Sequence, residues 1–314
     1  YDLNTSELAD KALQFTSFWT LLTSPRYFIL NATQTYMVSL PVMAGRHGYT
    51  NAAAAVNSAY RDLFSTIKED VPGFAKGAFD ISKMKNVSKT EREALEELRK
   101  QALIDMGLNY ELGYWENTGG AVSSSLYKLG HNLRTVSRQI EVVNRVSAGL
   151  AAYRLAQGPH AAKLQYATEI LARTHGDYSP TNAPRLLNML PRLITQFRKY
   201  QMIQASLLVR LMNDAYANES VAERRVARHS LGYMLGQTTL VTGLMGLPVI
   251  MPVMYMLNAM FGDDDEPYDT ERELRSYLPE ELANLLARGV PAHLGGDGSQ
   301  SLGMGNVFNP LPYS

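Results

Sequence analysis

The sequence predicts an all-α protein, an extended multi-helix bundle with long helices and one apolar helical hairpin broken by glycine and proline. Three observations predict it. Apolar residues recur at steps of three and four along most of the chain, runs that alternate apolar with polar are scarce, and helix start and stop signals punctuate the periodic stretches.

Taken in order, Ser24-Pro25 reads as an N-cap followed by proline in the first helical turn, opening "RYFILNATQTYMVSLPVMAG", in which Pro41 is expected to kink or end the helix. Thr50 or Asn51 is expected to cap "AAAAVNSAYRDLFSTIKEDV", and Pro72-Gly73 to stop it. Ser88-Lys-Thr-Glu91 has the spacing of a capping box and opens the most charged helix, "REALEELRKQALIDMG". Gly119-Gly120 breaks the chain before a helix expected from Ala121 to Gln157. Its apolar stripe runs through Leu126, Leu129, Leu133, Val136, Ile140, Val143 and Val146. Gly158-Pro159 restarts a helix through "HAAKLQYATEILARTHG", "GDYSPTNAPR" reads as a loop, and a further helix is expected from Pro184 to about Ala217 with a bend at Pro191. These breaks suggest four regions: an N-terminal helical region 1–118, a long-helix bundle 119–230, an apolar hairpin 231–262, and a short helix with a glycine-rich tail 263–314.

From Ser230 to Gly262 the chain runs 33 residues without a charged side chain, then turns to Asp263, Asp264, Asp265 and Glu266. A bilayer span needs about 20 apolar residues, so length permits one. Gln237, Thr238, Thr239, Thr242 and Asn258 make it less apolar, and Pro248 and Pro252 interrupt the backbone ladder. Two short helices are expected, Leu231 to Leu247 and Val249 to Phe261. Gly232-x-x-x-Gly236 resembles a close-packing face. Together with Leu240, Gly243, Met245, Pro248, Ile250, Pro252, Met254 and Met256 it forms the candidate membrane-facing or oligomer-facing set, with a buried hairpin inside a helical assembly as the competing reading. The acidic run lacks the ligand spacing and glycine of a calcium loop and reads as a solvated stop.

The 314 residues suffice for one large or two ordinary domains. Thirty basic residues balance thirty acidic ones, so any attraction to nucleic acid or an acidic membrane must be local. The absence of cysteine excludes disulfides, zinc-thiolate sites and thiol nucleophiles. The start at Tyr1, with neither a basic nor an apolar leader, suggests a piece of a longer polypeptide. The six histidines are scattered, and phosphate-loop and nucleophile-elbow motifs are missing. Catalytic, cofactor-binding and metal-binding residues are therefore expected to number none. The nearest approach to a catalytic pair is Glu111 and Glu116 among Tyr110, Tyr114 and Trp115, which reads better as a structural turn. Arg192, Arg198 and Lys199, beside Phe197 and Tyr200, and then Arg224, Arg225 and Arg228, are candidate phosphate contacts. The competing reading for all six is salt bridges or a solvated helix face.

The second half, "GDYSPTNAPRLLNMLPRLITQFRKYQMIQASLLVRLM", the apolar hairpin and "ELANLLARGVPAHLGGDGSQSLGMGNVFNP", resembles the PLxRFG-type C-terminal region of large polyvalent phage proteins, over roughly Thr174 to Pro310. Where the family motif spells Pro-Leu-x-Arg-Phe-Gly the chain reads Met189-Leu190-Pro191-Arg192-Leu193-Ile194. Gly289, Pro291, Gly295, Asp297 and Ser299 follow the family order. The resemblance implies an internal virion (ejection) protein that oligomerises and helps to form a genome-delivery channel. Its implied partners are copies of itself and other ejection, portal or tail proteins, with host membrane and non-specific phage DNA as further contacts. The implied location is the capsid interior or tail, then the host envelope after ejection. The alternative is a helical scaffold of a larger phage polypeptide whose enzymatic module, a murein hydrolase or polymerase, lies upstream; a membrane protein with one or two spans is a third reading.

Overall fold

A computed structural model describes residues 32–75, 79–104, 124–175, 199–244, 247 and 270–291. Among them helices and turns account for the regular structure and no strand occurs, so the protein is all-α. The chain divides into two units, Tyr1–Phe197 and Arg198–Ser314. That division falls inside the region the sequence assigns to one long-helix bundle.

In the first unit, Pro41 neither ends nor breaks its helix. The turn before it, Thr35–Ser39, widens to π geometry, and Leu40 donates its N–H to the Thr35 carbonyl five residues back. Proline has no N–H to give and its ring crowds the carbonyl four residues earlier, which the wider turn relieves. The chain continues as α1 (Leu40–His47) and, after Gly48 alone, α2 (Tyr49–Glu69). Gly48 at φ 80° is the junction, and Asn51 turns its amide back to the His47 carbonyl at 3.0 Å, so neither Thr50 nor Asn51 is the cap. A short helix α3 (Val71–Ala75) contains Pro72, with Asp70 Oδ1 accepting the Gly73 N–H at 2.9 Å. A 3-10 turn (Ile81–Lys83) leads to α4 (Lys89–Lys100), which opens on the capping box. Ser88 Oγ accepts the Glu91 N–H at 3.3 Å, and Glu91 returns a carboxylate oxygen to the Ser88 N–H at 2.7 Å.

The long helix α5 (Ser124–Leu155) and α6 (His160–Thr174) complete the unit. From Glu141 to Tyr153 every residue of α5 is buried, because α1, α2, α4 and α6 all pack on it. The expected single stripe is thus only one side of a central helix. Gly149 makes the crowding workable: a Cβ there would stand 3.1 Å from Leu98 and 3.3 Å from Leu171. Arg154 ties the bundle, donating to Asp62 on α2 and to Glu91 on α4, each at 2.7 Å, and to Ser58 at 2.9 Å.

The second unit contains α7 (Lys199–Ala217), α8 (Val221–Thr242), α9 (Thr270–Tyr277) and α10 (Glu280–Arg288). Helix α8 packs on α7 and α10, and α9 packs on α10. Helix α8 runs unbroken through positions 230 and 231, where the sequence suggests a boundary, and stops at Thr242 rather than Leu247 because Gly243 takes φ 70°. The helix expected at 249–261, the Pro191 bend, the Ser24-Pro25 start, the Glu111 and Glu116 pair, the acidic run and the tail from 292 lie outside the described residues.

Candidate interaction surface

The site is built on the hairpin of α7 and α8. Helix α7 ends at Ala217, and the link Asn218-Glu219-Ser220 turns the chain. Asn218 Oδ1 accepts the Ser220 N–H at 2.9 Å, and Ser220 Oγ caps α8 by accepting the Glu223 N–H at 3.3 Å. The inward side of α8 is Ala227, Ser230, Met234, Thr238 and Thr242. The Thr242 hydroxyl is satisfied within the helix, donating to the Thr238 carbonyl at 2.7 Å.

The basic residues of α8 divide. Arg224 donates to the Asn218 carbonyl at 2.6 Å, and Arg228 to the Ala215 carbonyl at 3.1 Å, with its guanidinium 5.8 Å from the centre of the Tyr216 ring. Both cations thus satisfy carbonyls around the negative end of the α7 dipole. Arg225 and His229 are exposed, and with Val221, Arg224 and Arg228 they line an open cleft of about 340 Å³. Lys199 begins α7, its side chain outside the description, and Arg192 and Arg198 lie outside the described residues. The structure therefore gathers Arg224, Arg225 and Arg228 and occupies two of the three in holding the hairpin.

Beyond the basic turn, Gly232, Gly236 and Leu240 continue one outward line along α8. A Cβ at either glycine would meet nothing within 4 Å, and Leu240 is 64% exposed. Gly243 faces the other way and corrects the outward expectation for that residue: a Cβ there would collide with the Ala287 carbonyl at the end of α10. Gly289, at φ 79°, approaches Val241 as closely, its Cβ position 2.6 Å from that carbonyl. The ends of α8 and α10 thus meet through two glycines in the left-handed region. Met245, Pro248, Ile250, Pro252, Met254 and Met256 lie outside the described residues.

Two further outward lines were not anticipated from the sequence. Helix α7 exposes Val209, Met212 and Tyr216, and α10 exposes Leu282 and Leu286, with Val290 exposed just beyond its end. Their spacings, three then four along α7 and four along α10, are the signal that reveals them. Helix α10 carries two such lines, and it is the small one, Ala283 and Ala287, that is buried. Small residues let α8 approach closely, which leaves the leucines outside. Among the described residues of the first unit the exposed large apolar side chains are Tyr49, Phe64 and Val71.

Among the described residues no helix is long and apolar enough to cross a membrane, and no group of three or more metal-ligating side chains occurs. Comparison with known protein families, with curated proteins and with solved structures returned no match.

Proposed function

We propose that this chain is a structural delivery module of a bacteriophage virion, a fragment of an internal (ejection) protein that oligomerises and helps to form a genome-delivery channel across the host envelope. The observation that carries the reading is the set of three uncovered apolar lines on α7, α8 and α10, concentrated in the unit whose sequence resembles the phage family. Each large apolar side chain covered by a neighbour contributes about 1.5–3 kcal/mol, enough collectively to offset the cost of bringing copies together. In this reading the occupant of the outward face is a second copy. Gly232, Gly236 and Leu240 serve contact between copies, and the chain performs no catalysis itself. Contact with other ejection, portal or tail proteins, with host membrane and with phage DNA belongs to the same proposal, the DNA contact resting on Arg225 and His229.

Sedimentation velocity tests it. The chain is expected to sediment as an oligomer, and Leu240→Asp with Leu286→Asp to sediment as a monomer of unchanged helix content. Phage carrying both substitutions are expected to assemble normally but to deliver little DNA. A wild-type chain that stays monomeric at high concentration, or doubly substituted phage that infect normally, would overturn the proposal.

A further inference from the structure

At the C-terminal end of α6, segments distant in sequence meet through polar groups sealed from solvent. Ser39, from the π turn, donates to Thr174 Oγ1 at 2.9 Å, and Thr174 donates to the Ile170 carbonyl at 2.7 Å. His175 Nδ1 lies 3.0 Å from Thr174 Oγ1 and 3.4 Å from Ser39 Oγ. Both hydroxyl hydrogens are already committed, so the hydrogen between ring and hydroxyls belongs to Nδ1, and Nε2 carries a bare lone pair. Nε2 is buried and has no hydrogen-bond partner. From α5, Arg145 donates to the His175 carbonyl at 3.1 Å and to the Leu103 carbonyl at 2.8 Å, while Glu141 is held by Arg145 at 2.9 Å. Gln34 reaches the Thr174 carbonyl at 3.5 Å.

A second proton on this ring would sit on Nε2 with no acceptor, inside the bundle and beside a guanidinium. Ser39 of the π turn, which meets the ring, and Gln34 just before the turn, which bonds the neighbouring Thr174 carbonyl, are both neutral. The charge that acts on it from α5 is that of Arg145, whose partner Glu141 is already engaged. Arg173, on α6 itself, is paired with Glu169 at 3.3 Å on the outside. None of the described carboxylates bonds the imidazole.

We propose that this junction is an acid-operated latch: protonation of His175 expels the ring and parts the end of α6 from the π turn and α5, opening the first unit locally before its helices melt. The inference is independent of the assembly reading, since every group in it belongs to the first unit. Burial, and after it the charge of Arg145, hold His175 well below the ordinary imidazole value of 6.5. The linkage sign follows. Below about pH 6.5 the unfolded chain takes up a proton that the closed latch does not, so the stability is complete above that pH and is lost as pH falls toward the native value.

Residue-resolved hydrogen exchange on the full chain, corrected for intrinsic rates and run from about pH 7.5 to about pH 5, tests the latch. Amides of residues 36–40 and 171–175 are expected to open more often by up to about tenfold per pH unit below about 6.5, as uptake of one proton requires. Amides of α7 and α8 are expected not to follow. His175→Asn, which keeps a polar group without the titration, is expected to abolish the slope. His47 is also held low, by burial and then by Arg46, so His47→Gln is the companion variant and is expected to retain the slope. Protection independent of pH in the wild type, a slope that survives His175→Asn, or one that disappears in His47→Gln would overturn the proposal. If His175→Asn does not fold, the wild-type and His47→Gln profiles still decide it.

Discussion

Ala102 is the one described residue other than glycine with positive φ, 59°, at the end of α4. It occupies the position where a helix closes through the left-handed region: Leu103 donates its N–H to the Leu98 carbonyl at 3.0 Å, and the Leu103 carbonyl accepts from Arg145. Alanine pays for this with contact between its Cβ and the following carbonyl. Relief of that contact exceeds the added freedom of the unfolded chain, so Ala102→Gly is expected to stabilise the first unit by up to about 1 kcal/mol in urea unfolding. Gly243 and Gly289 present the opposite case, since positive φ and backbone contact coincide. Gly243→Ala is expected to destabilise the second unit by at least about 1–3 kcal/mol from the backbone conformation alone, measured as a fall in unfolding midpoint. Gly48→Ala, with open space around it, should cost less. The sequence reads Gly243 as membrane-facing or oligomer-facing within an apolar run; its contact with Ala287 is not legible there, because the two are far apart in the chain.

Among elements, α4 shows how much a local pattern can carry. The capping box is readable from Ser88 and Glu91, and the structure forms it, yet Glu91 also receives Arg154 from α5 at 2.7 Å. That second bond is invisible in sequence. Removing the guanidinium leaves Asp62 and Glu91 facing each other with little solvent, so Arg154→Met is expected to cost about 2–3 kcal/mol, somewhat less than for a wholly buried pair. Burial pushes the Glu91 carboxyl up, but hydrogen bonds from Arg154 and Ser88 outweigh it and hold the group below its ordinary value. The stability this contributes is present above the unfolded carboxylate value of about 4.3 and is lost as pH falls through the lower native one. Urea midpoints at about pH 7 and about pH 3 are expected to differ less in Glu91→Gln than in the wild type. In α5 the periodic stripe was legible, but burial on all sides was not. The polar residues between the stripe positions are buried as well: Tyr60 and Thr35 bond Asn144, at 2.8 Å to its side chain and 3.1 Å to its carbonyl, and Ser147 bonds the Val143 carbonyl at 2.7 Å.

For the whole molecule, the two units distribute polarity differently. The first buries a polar network within a many-helix bundle; the second buries Leu207, Leu208, Leu211 and Met234 beside alanine, serine and threonine, and leaves Val209, Met212, Tyr216, Leu240, Leu282 and Leu286 outside. If the outward lines drive assembly, association should persist or strengthen at about 1 M salt, where charge contacts are screened within about 3 Å. Association through Arg225 and His229 would weaken instead, which sedimentation across a salt series distinguishes. The sequence by itself determined the all-α class, the capping box, the long central helix and the concentration of adaptable apolar residues in the second half, because these follow from local spacing and cap chemistry. Only the tertiary structure decided which side of each helix is inside, that Gly243 and Gly289 join two helix ends, that Arg224 and Arg228 hold a turn, and that His175 is sealed beside Arg145. Those outcomes depend on which distant segments share a space, and a helical period names a face without naming its neighbour.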